Sequence, residues 1–150
     1  MIVISNRQRT IKVDTQQLKK DAQKALGALN YADFDLSIVL VSNKKMHAIN
    51  KQFRGKDKPT DILSFPFYPQ LKAGERIIAT NPDEKNLGDI IIAPTYVQDT
   101  LHEWGNVFEE RMQILLVHGI CHLLGYDHIL DEDYMVMKKE EERLLDILKK

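Results

Sequence analysis

Three histidines with a characteristic spacing lie in the segment HGICHLLGYDH, which runs from His118 to His128. His118 and His122 are four residues apart, and at 3.6 residues per turn they would lie on one face of a helix, about 40° apart. Gly125 can adopt the left-handed conformation that ends a helix, which would let His128 approach from another direction. The spacing therefore predicts that three imidazoles converge on one metal ion.

The chemistry expected of such a site is hydrolysis. Zinc binds imidazole nitrogens at about 2.0–2.1 Å, and three protein ligands leave a fourth position for water, as in catalytic zinc sites. We therefore expect one Zn²⁺ per chain, held by His118, His122 and His128, with peptide and phosphodiester bonds both candidate substrates. Apolar residues surround the histidines, which predicts a buried central helix in which two unpaired imidazoles would be unfavourable.

The residue after the first histidine argues against a protease. The metzincin proteases share the pattern His-x-x-x-His-x-x-Gly-x-x-His, but there a glutamate general base follows the first histidine. Here that position is Gly119. A glycine inside a helix indicates close approach of something else, either a tightly packed helix or a substrate passing over the metal. Asp127 is the nearest acid that could replace this base, but we interpret it as a cap, as a residue that orients a ligand, or as a hydrogen-bond partner of one. We interpret Cys121 as a small buried residue.

Composition indicates one domain spanning residues 1–150, since a chain of 17.4 kDa can bury its own core. Its single cysteine excludes an internal disulfide. The chain begins without a signal-peptide pattern and contains no long apolar run, so a soluble cytoplasmic protein is expected.

Charge is unevenly distributed although the net charge is only -1, which argues against a globally basic nucleic-acid binder. Basic residues dominate between Asn43 and Lys58, and acidic residues dominate between Asp131 and Glu142. The basic stretch is either a local phosphate-binding patch or an ordinary solvated surface. We expect a solvated face for residues 140–142, surface positions for His47 and His102, and core positions for Met135 and Met137.

Hydrophobic periodicity and cap residues predict the order β-α-β-α-β-β-α-α-α. This order favours an α+β domain: a small mixed four-stranded sheet packed with helices, one of them a zincin-like metal helix. The predicted strands are Ile2–Ile4, Phe34–Val41, Thr60–Phe67 and Leu87–Ala93. The predicted helices run from Asp14 through Leu29, from Ser42 to Gly55, from Pro94 to Trp104, from Phe108 to Leu124, and from a cap at Asp131 to Lys150.

Three blocks of sequence, in the same order, resemble the YbeY family of bacterial metal-dependent endoribonucleases. They are RGKDKPTDILSFPF at Arg54–Phe67, LGDIIIA at Leu87–Ala93 and the histidine block itself. The resemblance covers most of the chain from about residue 34 onward. It implies a zinc-dependent, single-strand-specific endoribonuclease that acts in rRNA processing, notably maturation of the small-subunit rRNA, and in ribosome quality control.

The resemblance also implies roles for particular residues and partners. His118, His122 and His128 match the family's metal ligands, and Arg54 matches an arginine associated with catalysis, so Arg54 and His118 are the expected catalytic residues. The implied partners are single-stranded RNA, rRNA and the small ribosomal subunit with its assembly factors, without DNA or a membrane. A guanidinium and a metal can together stabilise the negative charge of a phosphodiester transition state. Lys56 and Lys58 either contact the RNA backbone or remain in solvent.

Two other functions remain compatible with the residues alone. One is a metzincin-like zinc peptidase that lacks the usual glutamate. The other is a non-catalytic ribosome-assembly factor in which the metal only stabilises the fold.

Overall fold

The computed structural model, which describes residues 1–150, contains four strands and five α-helices in the order β-α-β-α-β-β-α-α-α. The strands are β1 (Ile2–Asn6), β2 (Asp35–Leu40), β3 (Ile62–Pro66) and β4 (Asn86–Ile92). The helices are α1 (Thr15–Ala28), α2 (Asn43–Arg54), α3 (Pro94–Asp99), α4 (Phe108–Leu123) and α5 (Asp131–Lys149). Short 3-10 turns occupy Pro82–Glu84 and Leu101–Glu103. The predicted α+β class is therefore confirmed.

The sheet has the order β1-β2-β4-β3. β1 pairs with β2 and β2 with β4 in parallel, whereas β3 pairs with β4 antiparallel, so the sheet is mixed as predicted. The two central strands alternate in burial: residues such as Ile38 and Ile90 are fully buried on the face that packs on the main core, whereas Val39 and Ile91 on the opposite face are only partly buried. β3 is an edge strand, and Pro66 is its last residue, where the missing N–H does not interrupt the ladder.

Helix α4 lies between the sheet and α5. One face contributes Leu116 and Ile120 to the main core beside the central strands. The other contributes Val117 and Cys121 to a second cluster with residues of α5. Each fully buried aliphatic side chain stabilises the fold by about 1.5–3 kcal/mol, so α4 is held rigidly from two sides. This confirms the predicted buried central helix. None of the helices combines the length and the hydrophobicity that a membrane span requires.

Three local predictions were wrong. The helix beginning at Pro94 ends at Asp99 rather than Trp104: the Thr100 hydroxyl bonds to the Tyr96 carbonyl oxygen at 2.8 Å, and a 3-10 turn follows. Asp131 is the first residue of α5 rather than its cap, and at that position the helix dipole still favours its negative charge. Met135 is 66% exposed while Met137 is buried, because residues two apart face nearly opposite sides of a helix.

Candidate metal centre

The three predicted metal ligands lie together. His118 and His122 project from α4, His128 follows the end of that helix, and one ligand atom from each lies within 4.8 Å of the others. The Nε2 atoms of His118 and His122 are 3.0 Å apart. A tetrahedral ion with bonds of 2.0–2.1 Å would hold two nitrogens about 3.3–3.4 Å apart, so these two imidazoles need only a small adjustment to share one ion.

Gly125 turns the chain so that His128 can join the pair. Its φ is +91°, and the Tyr126 N–H bonds back to the Cys121 carbonyl oxygen at 3.1 Å, which closes the helix end. A Cβ at this position would collide with the backbone of Leu71 and Lys72. Both the backbone conformation and the space therefore require glycine here, as the sequence predicted.

Hydrogen bonds on the far side of each ring determine which nitrogen carries the proton. The His118 Nδ1 lies 3.0 Å from the Glu141 carboxylate, and the His122 Nδ1 lies 2.9 Å from the Tyr126 carbonyl oxygen. An ionised carboxylate and a carbonyl only accept hydrogen bonds, so each Nδ1–H donates. In the neutral rings both Nε2 atoms then carry lone pairs, facing each other at 3.0 Å. Such a pair repels unless a cation lies between the two atoms, so the donor set fits a metal ion.

The electrostatic environment keeps His122 neutral. Burial, followed by the neighbouring rings of His118 and His128, lowers the pKa of His122 to about 4. At neutral pH the ring is therefore unprotonated, which is the state that a metal ligand requires. No fourth His, Cys, Asp or Glu joins the cluster.

An open cleft of about 1070 Å³ gives access to the histidines. Its walls come from β3, from residues 69–73 and from residues 125–129, and Arg54 lines it as well. The Arg54 guanidinium donates to Asn50 Oδ1 at 3.3 Å, and the buried Asn50 also donates to the Lys58 carbonyl oxygen at 2.8 Å. Asn50 thus joins the end of α2 to the basic loop, and the structure brings Arg54 into the same cleft as the three histidines.

The basic segment beyond Arg54 is exposed. Lys56 and Lys58 both point into solvent and form no ion pair. Asp57 between them forms a hydrogen bond with the His47 ring at 2.6 Å and an ion pair with Lys51 at 3.8 Å. These contacts hold the loop against α2, and the hydrogen bond from His47 lowers the pKa of Asp57. His47 is partly exposed and His102 is exposed, as predicted.

The sheet, rather than a helix or a substrate, approaches Gly119. A Cβ at this position would lie 3.0 Å from the Cδ1 atoms of Ile62 and Ile90 and 3.3 Å from the Ser64 Oγ. Both sequence-based interpretations of this glycine were therefore wrong, because β3 and β4 cross α4 here. Asp127 is a turn cap, since its Oδ1 accepts a hydrogen bond from the Ile129 N–H at 3.3 Å.

Glu141 is the site residue that sequence reasoning missed. It was assigned to a solvated face with its neighbours, yet only 19% of its side chain is exposed, and it contacts His118. The available signal was its spacing, because Glu141 shares a helix face with the buried residues Met137, Leu144 and Leu148. A carboxylate on the buried face of a helix requires a partner.

Comparison with known proteins shows that this chain is similar to YbeY endoribonucleases. The family model described as Endoribonuclease YbeY matches residues 3–149. A Homo sapiens protein named Endoribonuclease YbeY is 36% identical over 98% of this chain and 87% of its own length. The protein of the same name from Sulfurihydrogenibium sp. is 38% identical over 97% of this chain and 91% of its own.

A solved structure shares the fold. The solution structure of TM1509 from Thermotoga maritima superposes with a TM-score of 0.64 at 26% identity, covering 99% of this chain and 89% of that one. The family match extends through the sheet, the histidine cluster and α5. With the sequence, the fold and the relatives in agreement, the chain belongs to the YbeY family of endoribonucleases.

Proposed function

We propose that the protein is a zinc-dependent, single-strand-specific endoribonuclease that acts in the cytoplasm on rRNA, in small-subunit maturation and in ribosome quality control. Its partners would be single-stranded RNA and the small ribosomal subunit with its assembly factors. The observation that carries the metal dependence is the pair of Nε2 atoms of His118 and His122, whose lone pairs face each other at 3.0 Å. The family supplies the substrate class.

In this proposal His118, His122 and His128 hold the ion. A bound zinc ion would polarise a phosphoryl oxygen and lower the pKa of a water molecule towards neutrality. Arg54, in the same cleft, would bind the phosphate oxygens and stabilise their negative charge in the transition state. The hydrogen bond from Arg54 to Asn50 leaves guanidinium N–H groups for this purpose.

The exposed lysines of α2 and the following loop continue the basic surface outwards from Arg54. Lys44, Lys45, Lys56 and Lys58 are exposed and make no ion pair, so their charges are available to a polyanion. We expect them to contact phosphates without base specificity, which makes RNA binding weaken as the salt concentration rises.

The test is cleavage of a labelled single-stranded RNA and of its duplex by the purified, zinc-loaded protein. We expect cleavage of the single strand only, and its loss on chelation. His122→Ala should lose both zinc and cleavage, whereas the exposed control His102→Ala should retain both. Arg54→Ala should retain zinc but cleave about 10²–10³-fold more slowly, with Arg9→Ala as control. Equal cleavage by wild type and His122→Ala would contradict the proposal.

The cellular role needs a separate test. Cells depleted of the protein should accumulate precursors of the small-subunit rRNA, and the wild-type gene should correct this defect while the gene for His122→Ala should not. Correction by both would place the cellular role outside the metal site.

The peptidase alternative is opposed by the surroundings of Gly119. A Cβ at this position would lie 3.0 Å from the Cδ1 atoms of Ile62 and Ile90, so a glutamate placed there as in a metzincin would have to displace side chains of the sheet. We expect no cleavage of peptide libraries by the zinc-loaded protein.

A purely structural metal is opposed by the composition of the core. The main hydrophobic cluster contains 21 buried residues and none of the three histidines. The protein should therefore remain folded after chelation, as measured by circular dichroism. Unfolding on metal removal would favour the assembly-factor alternative.

A further inference from the structure

A carboxylate from the last helix contacts the histidine cluster. Glu141 lies on α5, and its Oε2 accepts a hydrogen bond from the His118 Nδ1 at 3.0 Å across the α4–α5 interface. His118 is its hydrogen-bond partner, and the contact lies on the side of the ring opposite the Nε2 that faces His122. Glu141 is therefore placed to act on the metal site through His118 and not as a ligand.

The packing of α5 determines the position of this carboxylate. Met137, Leu144 and Leu148 lie on the same face of α5 and are buried against Val117 and Cys121 of α4. The backbone of α5 is thus fixed one turn on either side of Glu141. The adjacent Glu140 is engaged elsewhere, because it pairs with Arg143 of its own helix at 2.6 Å. Glu142 is exposed.

We propose that Glu141 is a positioning residue for the metal centre and that it couples the docking of α5 to metal binding. The inference rests on the proposed metal site. By accepting the Nδ1–H, Glu141 holds His118 in the tautomer and ring orientation that present the Nε2 lone pair to the ion.

His118 and His122 differ in how they are oriented. The Nδ1–H of His122 donates to the Tyr126 carbonyl oxygen, a backbone group that no side-chain substitution removes. The orientation of His118 depends on one side chain from another helix. Metal affinity should therefore respond to substitution of Glu141 specifically.

The experiment measures zinc affinity by competition with a chromophoric chelator, together with the visible absorption of the Co²⁺-substituted protein. Glu141→Ala should lower zinc affinity about 10–100-fold, equivalent to about 1.4–2.7 kcal/mol, and change the Co²⁺ spectrum. Glu141→Gln should restore part of this loss, because its side-chain carbonyl accepts the same hydrogen bond without the charge. The control Glu142→Ala removes one charge from an exposed position of the same helix and should bind zinc as wild type does.

A second measurement needs no variant. Because coupling is reciprocal, zinc must favour the docked state of α5 by the same factor by which docked α5 favours zinc. Hydrogen exchange of the wild-type protein should show stronger amide protection in α5 when zinc is added. Amides of α2 that exchange by local opening, away from the α4–α5 interface, serve as the internal control and should not change.

The outcomes separate the inference from the proposed function. If wild type binds no zinc, the proposed function fails and the inference fails with it. If wild type binds zinc and Glu141→Ala binds it equally tightly, only the inference is overturned. Should Glu141→Ala fail to fold, the exchange measurement decides: no added protection of α5 by zinc would overturn the inference.

Discussion

Replacement of Gly125 by alanine tests the argument that one turn positions the third histidine. The residue has φ +91°, and an L-residue in a left-handed conformation costs about 1–2 kcal/mol. The added Cβ would also overlap backbone atoms of the opposite loop: it would collide with the Leu71 carbonyl oxygen and lie 2.8 Å from the Leu71 carbonyl carbon and 2.9 Å from that of Lys72. Backbone must move to relieve this contact, which costs about 1–3 kcal/mol more.

The expected loss for Gly125→Ala is therefore about 2–5 kcal/mol in the free energy of unfolding. Gly74→Ala is the matched control, since Gly74 has φ +86° and a Cβ there would have no neighbour within 4 Å. It carries only the conformational cost of about 1–2 kcal/mol. The difference between the two variants isolates the close approach of residues 71 and 72.

Urea unfolding of both variants, followed by circular dichroism with a chelator present, measures this difference without a contribution from metal. Zinc affinity should also fall further in Gly125→Ala than in Gly74→Ala, because His128 follows the distorted turn. Equal free energies of unfolding for the two variants would refute the reasoning.

Two further substitutions and one thiol-labelling reaction test the packing around α4. Arg111 is 7% exposed, stacks on the Trp104 ring at 3.7 Å and lies 3.4 Å from Asp61. Arg111→Met should therefore lower the free energy of unfolding by about 1–3 kcal/mol and shift the fluorescence of the single tryptophan. The exposed control Arg9→Met should change neither. Asp21 is 3% exposed and accepts hydrogen bonds from Gln17 of α1 and Gln113 of α4. Asp21→Ala should lower the free energy of unfolding, measured in urea, by about 1–3 kcal/mol. An unchanged unfolding midpoint would show that this link between the two helices is not stabilising. Burial raises the pKa of the Cys121 thiol and removes it from solvent, so a thiol reagent should label the protein only in urea; complete labelling of the native protein would contradict the burial.

Features that depend on a few neighbouring residues were predictable from the sequence. The convergence of His118 and His122 follows from helix periodicity, and Gly125 indicates the turn before His128 because few other residues tolerate a positive φ. Alternating and continuous apolar runs identified all four strands, and the caps at Asp14 and Ser42 were predicted correctly. Local geometry alone determines each of these features.

Other features required the tertiary structure, because they depend on which elements meet. The strand order β1-β2-β4-β3 places the antiparallel β3 at the sheet edge beside α4, and this packing explains Gly119, for which the sequence offered only other partners. The cleft that joins Arg54 to the histidines needs α2 and α4 in their final positions.

Glu141 is the clearest example of a feature that required the tertiary structure. It lies 23 residues from His118, in a run of acids whose composition indicates a solvated surface. Its contact with His118 depends on the rotation of α5 about its axis, and that rotation is determined by how Met137, Leu144 and Leu148 pack against α4. Sequence thus determined the histidine motif through local backbone geometry, whereas only the packing of distant helices decided which groups surround it.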